Sequence, residues 1–252
     1  MAELKQVVDI SQVKVSCAEC RLKEIGLPRG LDPAEVSQLK DLVKRNPLLK
    51  RGEYLYRQGD PLRGLYAVRS GSLKIFISAQ DGAEHVVGFY LPGELLGLDA
   101  MGWDCHTCAA VALETTSVCE LPYDRLEELC HQLPSLQHQL LRIVGKEVSA
   151  DHEQLLLLGE RSAEERIATF VLNLSTRFGE RGFSEKEFNL SMSRHDIASY
   201  LGLAVETVSR LFTSFSKEGL LSVERRNVRM LDFPRLRSMA SGSMPCPTTS
   251  TK

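Results

Sequence analysis

The sequence has no excess of positive charge: 31 Lys and Arg stand against 33 Asp and Glu, for a net charge of −2. A nucleic-acid surface on such a chain has to be a local patch and not a whole-molecule field. No run of about 18 apolar residues occurs, which excludes a membrane-spanning helix. The opening segment MAELKQVVDI lacks the basic-then-apolar plan of a signal peptide. The expected location is therefore the cytoplasm, where structural disulfides are rare. The seven cysteines then need another account, as buried thiols, metal ligands or redox sensors. Clustered histidines are also missing. Of six, only His85 and His106 fall in the β-rich region, and neither belongs to an HxH or HxxxE set. A cupin-like oxygenase needs gathered His and carboxylate ligands, so enzyme activity is not expected.

What is present divides into regions. At 252 residues the chain has room for two domains. Residues 1–30 are a cysteine-bearing leader broken by Gly26, Pro28 and Gly30. Asp32 and Pro33 suit a helix start, and Val36, Leu39, Leu42 and Val43 recur at helical spacing up to Lys44. From Leu48 to about Tyr123 short β-rich pieces alternate with glycine turns, as in GLYAVRSGS and EHVVGFYLPGE. That punctuation predicts an antiparallel roll over residues 31–123. A long helix follows over residues 124–158, with Pro134 a break near its start. Leu141, Val144, Val148, Asp151, Leu155 and Leu158 on it are spaced 3, 4, 3, 4 and 3 apart. This is a heptad register, narrow enough to suit a parallel partner helix better than a broad core face. Residues 159–234 read as mainly helical with a β ending. Residues 235–252, rich in Ser, Thr and Pro, read as a disordered tail that includes Cys246. The fold class is α+β: an N-terminal antiparallel β-roll, a long dimerisation helix and a C-terminal winged helix-turn-helix.

The most specific stretch is SMSRHDIASYLGLAVETVSRLFTSFSKEGLLSV. Ser193 can cap a helix from Arg194 through Tyr200, Gly202 can take the positive φ of a tight turn, and a second helix starts near Val205. Gly219 ends it, and LLSVERRNVRMLD reads as a two-stranded wing. A helix, glycine turn and helix of these lengths places the second helix in the major groove. Arg210 suits a bidentate pair to guanine, Glu206 an acceptor for cytosine N4, and Ser209 either role; Thr207 lies on the same outward face. Arg194, Lys217, Arg225 and Arg226 suit phosphates, which position the domain without specifying sequence.

YLGLAVETVSR, LLLLGERSAEERIATFVLNLSTRF, YAVRSGSLK, LPGELLGLDAMG and ALETTSVCELPY resemble the cyclic-AMP receptor/fumarate-nitrate reductase regulator superfamily, nearest its oxygen-sensing FNR/ANR branch. The resemblance runs from Cys17 to Leu231. It implies a cyclic-nucleotide-binding-like roll and a redox-responsive homodimeric transcription regulator active in anaerobic control. It also implies a two-fold symmetric site with TTGAT-type half-sites, read by Glu206, Ser209 and Arg210. RNA polymerase is an implied partner, through the exposed turn Asp81-Gly82-Ala83-Glu84. Cyclic nucleotide is not an expected ligand: the segment GELLGLDAMGWDCHTCAAV carries no arginine to neutralise a phosphate.

The branch holds a 4Fe–4S cluster with three leader cysteines in C-x2-C-x5-C and one from the roll. Soft anionic thiolates suit such clusters. Cys17 and Cys20 match the first two positions and Cys119 the distal one, but Gly26 stands in the third and cannot ligate. Cys108 or Cys105, in DCHTCA, could supply the missing thiolate. Three other readings stay open. One is a zinc site from Cys17, Cys20, Cys105 and Cys108, with about 84 residues between the pairs, far outside the compact range. The others are a thiol–disulfide switch and loss of this sensor altogether. Cys130 reads as a small buried apolar residue. Asp151 falls where the family opposes dimer formation in the absence of the cluster, and a facing aspartate pair in a seam is costly.

Overall fold

The computed structural model describes residues 27–79 and 82–240. The leader positions Cys17, Cys20 and Gly26, the turn residue Asp81 and the tail's Cys246 lie outside the described residues.

Helix α1 (Pro33–Leu42) begins with a capping box: the Asp32 carboxylate accepts from the N–H groups of Ala34 and Glu35, and Glu35 reaches back to the Asp32 N–H. It ends two residues before the expected Lys44, because β1 (Lys44–Arg45) leaves the helix to pair with Glu120 and Cys119. The roll then comprises β2 (Tyr54–Tyr56), β3 (Gly64–Ser70), β4 (Leu73–Ser78), β5 (Glu84–Tyr90), β6 (Leu95–Leu96), β7 (Ala109–Ala112) and β8 (Ser117–Pro122), with a short 3-10 helix at Leu98–Gly102. They form two antiparallel four-stranded sheets, ordered β1-β8-β3-β6 and β2-β7-β4-β5. Tyr66, Val68, Leu96 and Val118 of one sheet meet Tyr56, Leu73, Tyr90 and Ala110 of the other inside the roll. The opposite face of the first sheet, through Leu65 and Leu121, packs against Leu39 of α1 and against the helices that follow.

The long helix breaks at Pro134, where the sequence places a break. α2 (Tyr123–Gln132) stops at Leu133, and α3 (Pro134–Glu160) restarts on Pro134, whose missing N–H is harmless in a first turn. The C-terminal domain contains α4 (Ala163–Glu180), β9 (Glu187–Asn189), α5 (Arg194–Leu201), α6 (Val205–Lys217), β10 (Leu221–Glu224), β11 (Asn227–Met230) and α7 (Phe233–Ala240). Two sequence expectations are corrected here. The wing has three strands and not two: β9, ahead of the helix-turn-helix, pairs with β11 through Phe188 opposite Val228. The tail does not become disordered at residue 235. Residues through Ala240 form α7, which packs on α4 and buries Leu236 completely. Leu236→Ala is expected to cost about 2–5 kcal/mol of stability, the usual range for a large-to-small change in a core. Equilibrium denaturation would read it, and an unchanged midpoint would mean that α7 is not part of the folded unit.

The two domains share one hydrophobic cluster. Phe76, Val86 and Phe89 of the roll's second sheet join Phe170, Ile197 and Phe215 of the C-terminal domain. The Phe89 ring lies tilted at 5.1 Å from that of Tyr200 and edge-on at 6.0 Å from that of Phe170.

Candidate nucleic-acid interface and thiol sites

The helix-turn-helix is built as its residues dictate. Ser193 and Asp196 form a reciprocal cap: the Asp196 N–H donates to Ser193 Oγ at 3.1 Å and the Ser193 N–H to Asp196 Oδ2 at 2.9 Å. Gly202 ends α5 at φ 61°, ψ 40°, a left-handed conformation open to glycine. α6 then turns Val208, Leu211, Phe212 and Phe215 into the core, leaving Glu206, Ser209, Arg210 and Lys217 exposed and Thr207 half-buried. Among the described residues Arg210 makes only a 3.5 Å contact, to Thr207 Oγ1, which leaves its exposed guanidinium open to an external acceptor. Arg225 and Arg226 are exposed at the wing turn. Arg194 differs from the sequence expectation of a free phosphate contact: it is half-buried, with its guanidinium 3.6 Å over the Phe212 ring, and burial pulls its pKa down. It supports the back of α6 before it can touch anything outside.

On α3, Leu141, Val148 and Leu155 are 63%, 48% and 68% exposed. Asp151 is exposed with them, while Val144 and Leu158 are half-buried. Among the described residues nothing covers this row of large apolar side chains. Beside the row, Glu147 is half-buried and accepts a hydrogen bond from the Tyr90 hydroxyl. Burial pushes the Glu147 carboxyl up, and the Tyr90 bond, which works the other way, is outweighed with help from the charge of Asp151. A cavity of about 310 Å³ opens there between β5, α3 and α4.

The described cysteines do not share one place. In β3 and β8, Leu65 pairs with Leu121 and Ala67 with Cys119. Side chains alternate along a strand, so Cys119 lies on the face that packs under the helices, where Leu27, the first described residue, is also buried. Cys108 is buried on the other side, inside the roll beside Val118 and Tyr56. Its Sγ donates to Asp99 Oδ2 at 3.3 Å, and burial together with the Asp99 charge pushes the thiol well up, away from thiolate. Cys108, put forward with Cys105 as a ligand from the sequence, is therefore on the opposite face from Cys119. Cys105 is half-buried in the loop before β7, bridged to Pro61. Cys130 is half-buried, its thiol pushed up chiefly by burial. Among the described residues no group of three or more His, Cys, Asp or Glu could hold a metal ion.

Residues 48–133 match the family model of the cyclic nucleotide-binding domain, and residues 165–239 that of the Crp-like helix-turn-helix domain. The chain is 48% identical to the transcriptional activator protein anr of Pseudomonas aeruginosa, over 97% of its own length and 99% of that protein. It is 42% identical to the fumarate and nitrate reduction regulatory protein of Vibrio cholerae, over 91% of this chain and 92% of the relative. The chain belongs to the FNR/ANR family of transcription regulators. Its fold is also similar to that of FixK2 from Bradyrhizobium japonicum, with a TM-score of 0.74 at 28% identity over 80% of this chain and 99% of that one.

As an FNR/ANR-family member the chain is a DNA-binding transcription regulator and not an enzyme. No helix among its described residues is long and apolar enough to cross a membrane. Sequence reasoning missed how its two domains are fastened. Glu94, in the turn before β6, accepts from Arg177 of α4 and from Arg181, which caps the C-terminus of α4, each at 2.5 Å. Arg177 also donates to the Phe89 carbonyl at 2.5 Å and Arg181 to the Pro92 carbonyl at 2.6 Å. Burial works against the Glu94 charge, but the two guanidinium groups outweigh it and hold the carboxyl below its ordinary range. Further along, Lys74 pairs with Asp196 at 2.8 Å, and Ser199 Oγ takes the Val86 N–H at 2.9 Å while donating to the Glu84 carbonyl at 3.0 Å. The first helix of the reader is thus bonded to the edge strand of the roll. The only sequence signal for this was arginine at a four-residue spacing, which most often means a solvated face.

Proposed function

We propose that this regulator binds two-fold symmetric DNA with TTGAT-type half-sites as a homodimer, and that oxygen controls the dimer through a 4Fe–4S cluster held by Cys17, Cys20 and Cys119. The observation that carries the sensing half is the placement of Cys119 on the sheet face where Leu27, the first described residue, is buried. Cys108, inside the roll, does not share that face. Three thiolates leave one ligand to find, and Cys105 suits it better than Cys108, whose side chain is turned into the roll and hydrogen-bonded to Asp99. When bound, the cluster supplies an oxygen-labile centre whose integrity depends on every thiolate. The protein residues do the rest. Leu141, Val148 and Leu155 offer the apolar seam, and Asp151 sets a like charge within it, so the dimer is poised near balance. Paired recognition helices then meet half-sites about one helical turn apart. The turn around Gly82 and Ala83 offers a contact for RNA polymerase.

An absorption spectrum with iron and sulfide assays on anaerobically purified protein tests the cluster. Cys119→Ser and Cys105→Ser should abolish iron content and anaerobic DNA binding, and Cys108→Ser should keep both. Protein without iron that binds DNA equally with and without oxygen would remove both cluster and switch. Gly26 favours a second reading, a cluster-free thiol or zinc sensor on the same DNA-binding frame. It gives colourless protein, reversed by dithiothreitol in the thiol case. For the seam, Asp151→Ala is expected to raise the dimerisation constant in air by about fivefold or more, since two facing unit charges repel by about 1 kcal/mol even in water. Sedimentation of both proteins under oxygen reads it, and an unchanged monomer fraction takes Asp151 out of the mechanism.

A further inference from the structure

In the roll a single half-buried carboxylate gathers several donors. Asp99, on the 3-10 helix, accepts from the Thr107 N–H at 2.8 Å, the Thr107 hydroxyl at 3.3 Å, the Cys108 N–H at 3.3 Å and Cys108 Sγ at 3.3 Å, all at Oδ2. Its other oxygen faces His106 Nδ1 at 3.5 Å. His106 is 2% exposed and stacks face to face on Tyr56 at 3.6 Å, with Tyr56 in turn bonded to Cys108. Two successive backbone amides, a hydroxyl and a thiol aimed at one oxygen make a site for an oxyanion. None of these five contacts comes from lysine or arginine. The anion the site expects is therefore singly charged and held by hydrogen bonds, not by ion pairing. All of this lies within residues 48–133, which match the cyclic nucleotide-binding domain.

We infer that Asp99 is an internal ligand: its carboxylate fills the oxyanion site of the β-roll, in the place an external anionic effector would take. The roll is then closed on its own side chain, and no soluble anion is needed to order the loop between the 3-10 helix and β7. The same bonds tie Cys108 into the interior. This holds whichever metal or thiol chemistry the leader performs, because none of the five contacts involves the leader.

Chemical rescue tests it on the full chain. In Asp99→Ala the donors lose their acceptor and a carboxylate-sized space appears. Formate, a small singly charged carboxylate, should fill it. Thermal unfolding of wild type, Asp99→Ala and Asp99→Asn would be followed in sodium formate and in sodium chloride at matched ionic strength. The expected result is a saturable rise of about 5 °C in the melting temperature of Asp99→Ala, in formate only. Wild type and Asp99→Asn, whose sites are still filled, should not respond. If Asp99→Ala folds only when formate is present, that is the same result in stronger form. If formate and chloride act alike on it, if it fails to fold in either salt, or if wild type gains as much, the inference is overturned. Calorimetric titration of wild type with 3′,5′-cyclic AMP is the second arm. No heat of binding is expected, and saturable binding would overturn the claim that Asp99 occupies the site.

Discussion

Arg210→Ala is expected to weaken binding of the preferred DNA site by about 1–3 kcal/mol per half-site and to relax selectivity at one guanine. Two half-sites read by one dimer roughly double the loss, so retardation assays should show a fall of thirtyfold or more (on the order of 1.4 kcal/mol per factor of ten). The reason lies in how α6 is placed. Val208, Leu211, Phe212 and Phe215 fix its inner face, so Arg210 must point outward, and its 3.5 Å contact with Thr207 is too long to hold it there as a structural group. Lys217, exposed at the C-terminal end of α6, supplies the contrast. Lys217→Ala should weaken all sequences alike and reduce the salt slope by about one phosphate. If Arg210→Ala kept its selectivity, α6 would not be the reading helix.

The other large effect belongs to Glu94. Removing it takes away the carboxylate that Arg177 and Arg181 share, and Arg181 has only 4% of its side chain exposed. Breaking such a pair typically costs about 3–5 kcal/mol, most of it from the charge left behind. Glu94→Ala should therefore lower stability by about that much and loosen the C-terminal domain from the roll. The triple change Glu94→Ala, Arg177→Met, Arg181→Met should recover a large part of the loss, because it leaves no orphaned charge. Guanidinium denaturation of the three proteins decides it: equal midpoints for wild type and Glu94→Ala would show that the clamp contributes nothing. The pH dependence has a definite sign. The Glu94 pKa is depressed in the folded protein. Its contribution is thus complete above the ordinary carboxylate range and disappears only as the pH falls through the depressed value.

The family and the reader were legible in the chain itself. Ser193, Gly202 and the inward residues of α6 specify the helix-turn-helix locally, through a cap, a positive φ and a helical period, all of which act within a few residues. The alternation of β-rich pieces with glycine turns gave the roll for the same reason, and the open stripe on α3 followed from heptad spacing. What tertiary structure alone decided depends on pairings between residues far apart in sequence. The third wing strand exists because Phe188 meets Val228, and α7 forms where Leu236 finds the α4 surface, so neither was visible in its own segment. The cysteines make the point most sharply. Cys108 and Cys119 are equal as letters, but strand alternation sends one into the roll beside Asp99 and the other to the face under the helices. A thiol's charge is set by its surroundings and not by its spacing, so only the fold could separate a proton-holding cysteine from a candidate ligand.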